Sequence, residues 1–99
     1  MLFRSEPPAD VLETDSHVVI YIALPGVDQD KVEIAIEDGD LVISGARMMP
    51  AELLRAAVHR LELPQGHFRR RIPLPRGAYD QVAKKSVNGC LSISLRKYG

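Results

Sequence analysis

The stretch Val32-Glu33-Ile34-Ala35-Ile36-Glu37-Asp38-Gly39-Asp40-Leu41-Val42-Ile43-Ser44 decides the fold. Val32, Ile34 and Ile36 fall at every second position, with Glu33, Ala35 and Glu37 between them. That period places one face of a strand on a core and the other in water. Asp38-Gly39 then favours the positive φ values that a two-residue type I′ turn requires. Leu41 to Ala46 returns antiparallel to the first strand. A second turn of the same kind, Asn88-Gly89, leads into Cys90-Leu91-Ser92-Ile93-Ser94-Leu95, with Leu91, Ile93 and Leu95 inward. Two tight hairpins with alternating flanks predict an antiparallel β domain, which has edges and grooves able to bind other chains.

Outward from these hairpins, further strands are legible. His17 to Leu24 carries Val18, Ile20, Ile22 and Leu24 on one face and Val19, Tyr21 and Ala23 on the other. Apolar groups on both sides mark a central or doubly covered strand. Pro25-Gly26 ends it, because proline has no ladder donor and glycine permits the turn. Val11 to Glu13 reads as a short first strand. His59 to Leu63 reads as a weak strand, and Phe68 to Leu74 as a stronger one at an edge, given Pro73 within it. Val82 to Val87 reads as a short polar edge strand. Between Arg47 and about Val58 runs a long connection whose Pro50 to Ala57 favours a helical turn. Strands at this spacing predict an all-β, two-sheet sandwich. The expected organisation is a flexible arm over 1–9, one domain over 10–97 that includes a long loop at 47–62, and a stub at 98–99.

The 99 residues suffice for one domain and not two. Thirteen basic and thirteen acidic side chains balance to zero net charge, which argues against a nucleic-acid binder. The composition is 45% hydrophobic, yet no run reaches the ~20 apolar residues of a membrane span. Met1 to Pro8 lacks the order of a secretory signal. One cysteine, Cys90, cannot form an internal disulfide, so a reducing cytoplasmic setting is expected.

No constellation of catalytic residues emerges. His17, His59 and His67 are far apart and beside no cysteine pair, so neither a metal site nor a cofactor is expected. Cys90 lacks a nearby base and reads as a small, partly covered thiol. Glu33, Glu37, Asp38 and Asp40 read as a solvated hairpin end. In Arg69-Arg70-Arg71, alternation places Arg70 on the side of Phe68 and Ile72. A guanidinium on an apolar face needs a carboxylate or carbonyl partner, so Arg70 is expected in a structural or inter-subunit ion pair.

These pieces in order resemble the α-crystallin domain of the small heat-shock proteins. The resemblance rests on Leu24-Pro25-Gly26-Val27, Leu41-Val42-Ile43-Ser44-Gly45-Ala46-Arg47, His59-Arg60-Leu61-Glu62, Gly66-His67-Phe68-Arg69-Arg70, Ile72-Pro73-Leu74-Pro75 and Asn88-Gly89-Cys90-Leu91-Ser92-Ile93. It implies an immunoglobulin-like antiparallel β-sandwich and an ATP-independent holdase, not an enzyme, whose partners are unfolding client proteins and a second copy of itself. It also implies that Val58, His59, Arg60, Leu61 and Glu62 form a strand exchanged onto the partner's Val11, Leu12 and Glu13. That is β-augmentation, in which main-chain hydrogen bonds supply affinity. A client or peptide groove is implied between Val32–Ile36 and Val82–Val87, around Val32, Ile34, Val82 and Leu91.

Departures from the family pattern are Lys84, where alanine is common, Cys90, where valine is usual, and an apolar 51–57. The long N-terminal arm and the C-terminal Ile-x-Ile anchor of the family are not seen, so a dimer is expected rather than a large shell, whether the domain is excised or naturally minimal. The groove is then open to another occupant, such as a neighbour's Met1-Leu2-Phe3. The alternative reading is a sandwich adaptor or co-chaperone that binds a larger chaperone; such modules lack the long loop.

Overall fold

The computed structural model describes residues 7–48, 51–62 and 66–98. Seven strands follow in chain order: β1 (Ala9–Glu13), β2 (His17–Ala23), β3 (Glu33–Glu37), β4 (Asp40–Arg47), β5 (Gly66–Pro73), β6 (Ala78–Val87) and β7 (Cys90–Tyr98). They form a four-stranded sheet ordered β1-β2-β7-β6 and a three-stranded sheet ordered β3-β4-β5, antiparallel throughout. The expected two-sheet sandwich is the observed one.

Register explains the core. Ile20 pairs with Ile93, Ile22 with Leu91 and Val18 with Leu95, so one face of β2 and β7 is aliphatic. In the other sheet Leu41 pairs with Ile36 and Ile72, and Ile43 with Ile34 and Arg70. Val18, Ile20, Ile22, Leu41, Ile43, Leu91, Ile93 and Leu95 are almost wholly buried between the layers. Phe68 and Ile72 close the layer from β5, and Gly45 makes room for the ring. A Cβ at Gly45 would lie 3.0 Å from Phe68 Cζ.

Both hairpins turn as the sequence requires. Asp38 and Gly39 take φ 52° and 82°, and Asn88 and Gly89 take 48° and 80°. Asparagine and aspartate tolerate this region and glycine enters it without steric cost. Pro73 ends β5 at the edge of its sheet, where the missing N–H costs no ladder bond.

Several boundaries differ from the sequence reading; β5, for example, runs Gly66–Pro73 rather than from Phe68 to Leu74. β1 begins at Ala9, Pro7 is buried, and Pro8 O accepts a hydrogen bond from Ala23 N at 3.2 Å. Residues 7–9 therefore belong to the domain rather than to an arm; 1–6, including Met1-Leu2-Phe3, lie outside the described residues. Tyr98 is the last residue of β7, not part of a stub. β6 starts four residues before Val82 because a register shift between Tyr79 and Val82 breaks the alternation there. Tyr79 anchors that start by donating from its hydroxyl to Pro75 O at 2.5 Å.

The largest difference is His59 to Leu63. Residues 58–62 form no strand in the single chain, and Leu63 lies outside the described residues. Among the described residues no strand pairs with them. The connection instead contains one 3-10 turn, Ala51–Arg55, as its helix-forming composition predicted.

Candidate functional site

Two borders of the sandwich are unsealed, and the candidate residues fall on both. The first lies between β3 and β6, which are edge strands of different sheets. A 3-10 turn at Gln29–Lys31 leads into β3; Asp28 caps it by accepting a hydrogen bond from Asp30 N at 3.1 Å. That turn sets Val32 into the core. On β6, Val82, Lys84 and Ser86 stand opposite the inward-facing Leu95, Ile93 and Leu91, so they too point between the sheets.

Of the four groove residues expected from the sequence, three pack in or against the core and Val82 lies on the neighbouring β6 edge. Val32 and Leu91 are buried in the core, and Ile34 on β3 is half-buried against it. Val82 stands 50% exposed on the β6 wall. Ile36, exposed beside Ile34, extends the apolar lining and was not anticipated.

Lys84, which stands where the family commonly has alanine, bridges β6 to the entry of β3. Its Nζ donates to Gln29 O at 3.2 Å and to Val32 O at 3.4 Å. Ser86 Oγ bonds the side-chain oxygen of Gln29. Together they tie the β6 edge to the entry of β3 and close one end of the groove. Two polar residues flanking Val82 at every second position were the available sequence signal.

The second border is the free edge of β1. Val11, Leu12 and Glu13 are all exposed there, and Glu13 Oε2 takes an ion pair from Lys97 Nζ at 2.5 Å. The connection after β4 is equally exposed. Met48 is 75% and Leu54 85% accessible, and Val58 and Leu61 are each more than half exposed. Arg60 and Glu62 form a solvent-exposed pair at 3.6 Å, and His59 lies in water. Val58–Glu62 and Val11–Glu13 form no ladder with each other in the single chain.

The arginine run divides as alternation required. Arg70 lies half-buried opposite Ile43 on the inner face, with its Nε enclosed. Arg71 lies on the outer face, where its Nη1 donates to Asp40 Oδ2 at 2.9 Å and to Glu37 O at 3.3 Å. That hydrogen bond to Asp40 raises the Arg71 pKa above its ordinary value. Arg69 approaches Glu37 at 3.9 Å. Glu37 and Asp40 are thus ion-paired across the sheet rather than simply solvated. At the far end of β7, Arg96 grips Asp80 with two hydrogen bonds of 2.9 and 2.6 Å. These lower the Asp80 pKa and raise that of Arg96. Cys90 is half-buried and faces away from the core. Among the described residues, no group of three or more His, Cys, Asp and Glu side chains could hold a metal ion. No helix there is long and apolar enough to cross a membrane.

A sequence model described as the Hsp20/alpha crystallin family matches residues 10–98. The chain belongs to that family. Its fold is the family's: heat shock protein 16.0 from Schizosaccharomyces pombe superposes with a TM-score of 0.81 at 28% identity, covering 94% of this chain and 87% of that one. The hspA structure from Xanthomonas axonopodis gives 0.77 at 33% identity and covers 94% of both chains. In sequence, this Hsp20 chain is 39% identical over 90 residues to the 16.9 kDa class I heat shock protein 3 of Oryza sativa subsp. japonica, spanning 89% of itself and 60% of that relative.

Proposed function

We propose that this chain is an ATP-independent holdase that acts as a homodimer in the cytoplasm. Clients are unfolding proteins, held without nucleotide, cofactor or covalent chemistry. One observation carries the reading: Met48, Leu54, Val58 and Leu61 lie exposed along one connection while the β1 edge and the β3–β6 groove stay open. A folded chain gains nothing from apolar side chains in water. It gains about 25 cal/mol per Å² when they are covered by another polypeptide.

Dimerisation uses the connection. Val58 to Glu62 adds to the partner's β1, whose Ala9–Glu13 has the same five-residue length, about 17 Å extended. The partner's Val11, Leu12 and Glu13 receive it through main-chain hydrogen bonds, and sequence matters little. Arg70, on the edge strand β5, supplies a structural or inter-subunit ion pair. Clients occupy the groove of Val32, Ile34, Val82 and Leu91. An adaptor role gains no support, because it leaves the exposed connection without a purpose.

The test is suppression of aggregation. Model clients heated with a molar excess of the protein should scatter less light than clients alone, with no ATP present. Equal precipitation with and without the protein would sink the holdase reading.

A further inference from the structure

Lys84 does more than tie two edges together. It stands where β6 is tied to the entry of β3, on the same face as Val82 and two residues from it, so the two side chains are about 7 Å apart along β6. Its ammonium spends two protons on Gln29 O and Val32 O. No carboxylate among the described residues pairs with it. The groove is therefore apolar at Val82 and Ile36 and cationic one step along. The free edge of β6 offers main-chain groups on which an extended segment can add as a further strand.

We infer that Lys84 makes this groove selective for extended acidic segments, in which an apolar side chain and a carboxylate lie two residues apart. The inference rests on the groove reading above and names its ligand class. An added strand places residues i and i+2 over Val82 and Lys84. The apolar one covers Val82 and Ile36. The carboxylate meets the third ammonium proton in a charge-assisted bond. A segment with apolar residues at both positions buries its second one against a charged head that is held in place by two carbonyls, and loses desolvation energy there.

Two fluorescent peptides test this, alike except for Leu-x-Leu or Leu-x-Glu at the central positions, with binding read by anisotropy. The wild-type protein should bind the Glu peptide about five-fold more tightly. The preference should shrink in about 0.5 M salt. Lys84→Met keeps the stem and removes the charge, and should abolish or reverse the preference. Val82→Asp should weaken both peptides, which locates the binding. Equal affinity for both peptides in the wild type, or a preference that survives Lys84→Met, overturns the role of Lys84 while leaving the groove standing. Binding of neither peptide to the wild type or to Lys84→Met, or binding indifferent to Val82→Asp, removes the groove itself and this inference with it.

Discussion

Asp80 shows how one residue ties strand geometry to solution behaviour. It sits where β6 shifts register, beside Arg96 on β7, and receives both of its guanidinium hydrogen bonds. Those bonds, with the attraction of the cation, outweigh the desolvation that opposes them and hold its pKa below the ordinary 3.8. A carboxyl depressed on folding contributes stability that is full above its unfolded pKa. The contribution fades as pH falls from near 4 through the folded value. Both partners are largely exposed, so the effect is modest. The expected outcome is a urea midpoint that drops on acidification below about pH 4 in the wild type. Asp80→Asn should be slightly less stable at neutral pH and lose less on acidification. Superimposable acid limbs for the two proteins would show that the pair contributes nothing.

Among the elements, the hairpins read most plainly from sequence because their signals are local. Asn88-Gly89 dictated a positive-φ turn and the structure contains one, which joins β6 to β7 in the register that buries Leu91. Gly89→Val places a β-branched side chain at φ 80°, at a cost of about 1–2 kcal/mol, although open space surrounds the position. Gly39→Val in the other turn, at φ 82°, should cost the same, and matching losses in chemical denaturation would identify backbone conformation as the cause. Elements whose existence depends on distant partners read poorly. The start of β6 hides behind a bulge, and 58–62 has strand character but pairs with no strand among the described residues. The groove was half legible. Alternation put Val32, Ile34 and Leu91 inward, whereas Val82 and the groove itself came from the family resemblance, because which edges face each other is a matter of sheet topology. The bridge from Lys84 to two carbonyls required coordinates.

As a whole, the molecule is more extended than its size demands. Its radius of gyration is 15.5 Å, against ~13 Å for a compact domain of about 100 residues, and its longest dimension is 55 Å. The connection after β4 leaves Leu54 and Val58 in water, a surface that the chain's own core does not cover. A second copy is the occupant that the proposed exchange assigns to it, and each partner then offers one connection and one β1 edge. Light scattering in solution should return a mass twice the 11.0 kDa of the chain. Val58→Asp with Leu61→Asp leaves the sandwich untouched, since neither side chain enters the core. In the dimer, however, it forces two carboxylates against an apolar edge, and each should raise the dimer dissociation constant about a hundred-fold. The doubly substituted protein should therefore be monomeric at micromolar concentration with an unchanged β circular dichroism spectrum. A wild-type monomer, or a dimer that tolerates both aspartates, would show that the connection is not what joins the two copies.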